Sequence, residues 1–188
     1  MRFVLQPSDL DIFVTDESGR DVCWVQGPNG RAGCWSLRSL GGDELATVRQ
    51  RGSPFLPRFA IHASDRLRAE LREQPAPHVP RVLAALRNAL AGAPSRVRYA
   101  LDVVGEEPLR IEGDATALEY AFVRGGRAAA TVSAYWLAAA ATWGATVTVV
   151  DDLDPLIVLA ATATIEISWG RTGRLHSLRS RVPSPSPQ

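Results

Sequence analysis

Three histidines, His62, His78 and His176, stand far apart in the chain. None belongs to a His-Glu-x-x-His pair and no paired cysteines accompany them, so a zinc centre is not predicted. There is no Gly-x-Ser-x-Gly elbow, and a chain without lysine has no phosphate loop of the Gly-Lys type. Gly125-Gly126 reads as a hairpin turn rather than a nucleotide cradle. The expectation is therefore a protein that is not an enzyme, with no catalytic residue and no cofactor. The alternative is an enzyme whose residues assemble only in three dimensions.

Two clusters remain. Asp151, Asp152 and Asp154 are the densest carboxylates, and oxygen-rich loops of this kind hold calcium. The segment lacks the glycine and distal glutamate of an EF-hand loop. The favoured reading is that Asp154 caps a helix while its neighbours sit at the positive dipole end. The second cluster is Arg49, Arg51, Arg58, Arg66, Arg68 and Arg72. On adjacent strands these guanidinium groups would form a basic patch able to grip phosphates in a bidentate fashion. Glu70 and Glu73 are interspersed, as on an ordinary solvated strand face.

The elements that must position these residues are mostly strands. Short β patterns bounded by turn signals recur at Arg2–Leu5, Asp11–Thr15, Asp21–Gln26, Cys34–Ser39, Glu44–Gln50, Arg58–His62 and Arg66–Arg72. They resume at Val97–Val104, Pro108–Gly113, Leu118–Arg124, Arg127–Tyr135 and Gly144–Val150. About twelve strands joined by short turns predict a sandwich or a barrel. The hairpin signal Gly41-Gly42 followed by Ala46-Thr47-Val48 is echoed by Gly125-Gly126 followed by Ala130-Thr131-Val132, which suggests two related halves. Pro80 to Ala91 carries Leu83, Leu86 and Leu90 at helical spacing, between prolines and Gly92. Asp154-Pro155 opens a segment, Leu156 to Ile165, that is apolar all round; periodicity alone leaves helix and strand both open there.

Composition narrows the classes further. With 188 residues, 46% of them hydrophobic, the chain can bury one ordinary core. A formal net charge of +1 gives no reason to expect a nucleic-acid partner. The run from Ala128 to Val150 is uncharged, but its threonines and alternating Thr146-Val147-Thr148-Val149 predict strand, not a transmembrane span. Met1–Pro7 lacks the apolar stretch of a secretory signal, and Cys23 and Cys34 make no disulfide framework, so a cytoplasmic chain is expected. The segment 169–188, rich in arginine, serine and proline, is expected to be a disordered tail.

The order of these pieces resembles the LURP-one-related family, which shares the Tubby C-terminal-like fold with the phospholipid scramblases. Asp11–Val22 looks like the opening hairpin. Leu109–Asp114 with Leu118-Glu119-Tyr120 is similar to the mid-chain strand pair, and Arg124–Arg127 leading to Ala130–Ser133 to the next hairpin. Asp154–Ala160 resembles the acidic start of the closing helix. The resemblance implies a closed barrel of about twelve strands around a central C-terminal hydrophobic helix, within a single domain at 1–168. The helix near 80–91 would be an insertion. It also implies a module that binds anionic phospholipid headgroups, through the arginine cluster, or a protein partner, at the inner face of the membrane. A scramblase-like activity is the alternative that the same resemblance raises.

Overall fold

The structure is a computed structural model. It describes residues 1–7, 11–26, 33–53, 56–74, 98–115, 117–137, 142–150 and 152–170. Twelve strands run in chain order: β1 (Arg2–Pro7), β2 (Ile12–Asp16), β3 (Asp21–Gln26), β4 (Cys34–Ser39), β5 (Glu44–Ser53) and β6 (Leu56–Ala63). β7 (Arg66–Gln74), β8 (Arg98–Val103), β9 (Leu109–Asp114), β10 (Glu119–Arg124), β11 (Arg127–Leu137) and β12 (Thr142–Val149) follow, then the helix α1 (Pro155–Gly170). Every strand pairs antiparallel with the next in sequence, and β1 pairs with β12, so the sheet closes into a barrel. Closure removes the unpaired strand edges that would otherwise invite association. The twelve strands expected from the alternating pattern are all present, and the helix predicted near 80–91 lies outside the described residues.

Alternation decides which residues enter the lumen. Leu5, Val14, Val25, Leu37, Val48, Ile61, Leu71, Leu101, Leu109, Phe122, Val132 and Val147 point inward from the twelve strands and are almost completely buried. Twelve strands about 4.8 Å apart and tilted about 40° give a backbone radius of about 12 Å. One layer of side chains cannot fill that width. A helix of about 5 Å radius down the axis can.

The chain supplies this helix in α1. Ten consecutive residues, Ile157 to Glu166, are buried. A helix buried on every side within a single closed sheet lies in its lumen, which settles the helix-or-strand ambiguity at Leu156–Ile165. Ile157, Val158, Thr162, Thr164 and Ile165 are β-branched and only moderate helix formers, so tertiary enclosure rather than propensity makes the segment helical. Ala160, Ala161 and Ala163 keep the rod slim. Asp154 starts it: its Oδ1 accepts the Leu156 N–H at 2.9 Å, and its carbonyl oxygen accepts the Ile157 and Val158 N–H groups at 3.1 and 3.3 Å. Pro155 occupies the first helical position, where a missing N–H costs nothing. Midway along, Trp35 on β4 donates from Nε1 to Thr164 Oγ1 at 3.2 Å, while that hydroxyl donates to Ala160 O at 2.7 Å.

The turns at the end where α1 begins are tight. Asp16 Oδ1 accepts the Ser18 N–H, the Ser18 hydroxyl and the Arg20 N–H at 2.8, 2.6 and 3.0 Å, closing the β2–β3 hairpin. Led by the Ser18 hydroxyl, these hydrogen bonds hold the Asp16 carboxyl at about 2. The two glycine-pair hairpins join β4 to β5 and β10 to β11, six strands apart on the ring, so both lie at the same end on opposite sides. They are not identical: Gly125 and Gly126 both have positive φ, whereas only Gly42 of the other pair does. Register slips near the turns of β2–β3, β4–β5, β6–β7 and β10–β11 bend the strands into the ring. The uncharged run from Ala128 to Val150 supplies most of β11 and β12. Among the described residues, no helix is long and apolar enough to cross a membrane.

Candidate functional site

Strand alternation sends the residues between the core positions to the outer wall, and register then sets which of them meet. Arg51 on β5 pairs with Arg58 on β6, and Arg58 pairs with Arg72 on β7. Arg72 pairs with Ala100 on β8, and Ala100 with Arg110 on β9. Four arginines therefore share one row running around the barrel over five strands, a span of about 19 Å. Like charges set directly opposite destabilise a sheet. Two such pairings in succession, Arg51–Arg58 and Arg58–Arg72, make the row a costly arrangement unless negative charge offsets it.

The adjoining row moderates the charge on one side only. It reads Arg49, Ala60, Glu70 and Asp102 from β5 to β8. Arg72 holds Asp102 with Nε at 2.9 Å, and Arg58 reaches Glu70 at 3.4 Å. Arg49, Arg51 and Arg110 have no carboxylate within ion-pair distance among the described residues. Arg49, Arg51, Arg58 and Arg110 are exposed and Arg72 is partly exposed. Ala100, between Arg72 and Arg110, is a small buried floor flanked by two guanidinium stems. The arrangement can bind phosphate oxygens from several directions, with the planar forks of Arg51 and Arg110 at its ends.

The six arginines of the sequence cluster do not form a single patch. Arg49, Arg51, Arg58 and Arg72 come together. Arg66 flanks the β6–β7 turn, about 20 Å along the strand from Arg72. Arg68 sits at the register slip of β7 and reaches Asp154 Oδ2 at 3.5 Å, beside the start of α1. Arg110 joins the row although 38 positions separate it from Arg72. No local signal in the sequence marks it; only the β7–β8–β9 register brings it in.

The acidic cluster has other work. Asp154 gives one carboxylate oxygen to the helix cap and the other to Arg68. Asp152 is exposed, and Asp151 lies outside the described residues. Among the described residues, no three histidine, cysteine, aspartate or glutamate side chains converge to hold a metal ion. His62 faces outward from β6, half-buried, opposite Thr47; His78 and His176 lie outside the described residues.

Two further titratable groups are shaped by burial. Cys23 points into the core and desolvation pushes its thiol up to about 11. Cys34 points outward beside Arg49 and is less buried. Glu73, opposite Tyr99 near the end of β7, has its carboxyl raised above the ordinary 4.5 by desolvation.

No family model matches the sequence, and no curated protein matches it. Among solved structures, the chain is similar to an Arabidopsis thaliana protein determined by X-ray crystallography. That likeness covers 90% of both chains with a TM-score of 0.55 at 11% identity. The correspondence is one of fold.

Proposed function

We propose that this protein is a non-enzymatic barrel module of the LURP-one-related type, and that it docks on anionic phospholipid headgroups through the arginine row of β5 to β9. The observation that carries the reading is the juxtaposition of Arg51, Arg58 and Arg72 in one row, extended by Arg110, with carboxylates facing only Arg58 and Arg72. Like charges opposite one another cost the sheet stability; Glu70 and Asp102 offset part of that cost, and phosphate oxygens would offset the rest at Arg51 and Arg110. An outer wall suits a surface ligand because every member of the row reaches solvent without unfolding anything.

Each arginine near an anionic surface contributes on the order of 1 kcal/mol. Replacing Arg51 and Arg58 by glutamine should therefore weaken attachment by about thirtyfold. The test is co-sedimentation of the full chain with vesicles of phosphatidylcholine, with and without phosphatidylserine. The reading expects binding only to the anionic vesicles, falling as salt is raised. Equal recovery with both vesicle types, or none with either, would overturn it.

A further inference from the structure

The two ends of the barrel differ in charge. Strand direction assigns every connection to one end or the other. Those at the end where α1 begins span 17–20, 40–43, 64–65, 104–108, 125–126 and 150–154, and they hold eight carboxylate side chains against the single arginine Arg20. A helix of sixteen residues is about 24 Å long, so α1 crosses the lumen and the chain leaves it at the opposite end. The segments attached there span 8–11, 27–33, 54–55, 75–97, 115–118, 138–141 and 171–188. By sequence they hold eight arginines, four of them after α1, against the two carboxylate side chains Asp9 and Asp11. The Arg51–Arg58 pairing of the row belongs to this end too, two pairs from the terminal Ser53–Leu56 pair of β5 and β6.

At the same end β11 and β12 outrun their neighbours. Tyr135, Trp136 and Leu137 pair with Gly144, Trp143 and Thr142. The last pairing of β12 with β1 is at Ala145, and the last of β11 with β10 is at Val132. The three outer pairs make a two-stranded ribbon about 10 Å long. From 135 to 144 the sequence reads Tyr-Trp-Leu-Ala-Ala-Ala-Ala-Thr-Trp-Gly, without a charged side chain. Tyr135 is 38% exposed. Free strand edges in water are ordinarily blunted by charge or proline, and this ribbon carries neither. Two strand carboxylates stand at its base and are engaged there: Glu119 Oε1 accepts the Ala134 N–H at 3.0 Å, and Asp114 Oδ1 accepts the Ala117 N–H at 3.1 Å.

We propose that this end of the barrel faces an anionic phospholipid bilayer and that the β11–β12 ribbon enters its interfacial zone. The proposal rests on the headgroup reading of the arginine row and goes beyond it, by fixing the orientation and adding an inserted element. Charge selects the end: arginine-rich segments are drawn to an anionic leaflet, and the carboxylate-rich end is repelled by it. Residue type selects the depth. Tryptophan and tyrosine join an apolar ring to a polar handle and collect at the level of the headgroups. A ribbon of about 10 Å reaches that level and stops far short of crossing a hydrocarbon core of about 30 Å.

Tryptophan fluorescence of the full chain tests this, on phosphatidylcholine–phosphatidylserine vesicles that include lipid brominated just below the headgroup. The wild type should be quenched on binding. The double variant Trp136→Phe with Trp143→Phe should still co-sediment but lose most of that quenching. In co-sedimentation, Tyr135→Glu should weaken attachment by at least about tenfold. Leu40→Glu adds the same charge to an exposed apolar residue at the opposite end and should bind as wild type. Should Tyr135→Glu lose its far-UV circular dichroism, the quenching measurement decides by itself. A wild type that co-sediments unquenched, or quenching unchanged in the double variant, overturns the proposal and leaves the arginine row standing. Equal losses from Tyr135→Glu and Leu40→Glu also overturn it. A wild type that does not bind the anionic vesicles overturns the headgroup reading and this proposal together.

Discussion

Trp35 shows how a single polar atom is accommodated inside the barrel. Its indole N–H meets the Thr164 hydroxyl, which already donates to the Ala160 carbonyl. Trp35→Phe removes the donor but leaves Thr164 hydrogen-bonded, so the loss should stay near the net value of one hydrogen bond, about 1 kcal/mol, plus any packing change. Urea unfolding measures it. Glu73 predicts a pH dependence. Its carboxyl is raised in the folded chain, so the charged form is disfavoured there. The penalty is absent below the ordinary 4.5 and grows as pH rises through that value towards the folded one. Glu73→Gln should accordingly melt at a higher temperature than wild type at pH 7, the gap closing towards pH 4; a variant less stable at pH 7 would contradict the assignment. None of these roles is visible in the sequence. The distance between Trp35 and Thr164 along the chain is too great for a local pattern, and Glu73 reads as one more polar residue in a charged strand.

At the scale of elements, α1 is the piece on which the core depends. Leu159 is buried in the middle of it. Leu159→Asp places an unpaired carboxylate in the lumen, where no water can reach it, and should abolish cooperative folding; Leu159→Met, similar in volume, should retain it. A sharp thermal transition for both would mean that the helix is not the core. Asp154→Ala removes the cap and the Arg68 contact together and should cost about 1 kcal/mol, most of it from the cap because the exposed ion pair is worth little. The strands were legible because one face of each is buried, which imprints strict alternation. The helix was ambiguous because enclosure on all sides erases periodicity. The Asp154-Pro155 signal alone hinted at the answer, since aspartate followed by proline begins a helix and not a strand.

At the scale of the whole molecule, closure of the ring turns separate sequence features into surfaces. The six central arginines read as one cluster because they are close in sequence. Register divides them, assigning Arg49, Arg51, Arg58 and Arg72 to one region and Arg66 and Arg68 to the end where the helix begins, then recruits Arg110 from a distant strand. Register depends on turn lengths and bulges summed around the barrel, which no local window of sequence contains. The most direct test of the account compares two double variants of equal charge, Arg51→Gln with Arg58→Gln and Arg66→Gln with Arg68→Gln, in vesicle co-sedimentation with phosphatidylserine. The account predicts that the first pair loses about thirtyfold in binding and the second binds nearly as wild type. Equal losses from the two pairs would mean that only net charge matters and that the row is not a site.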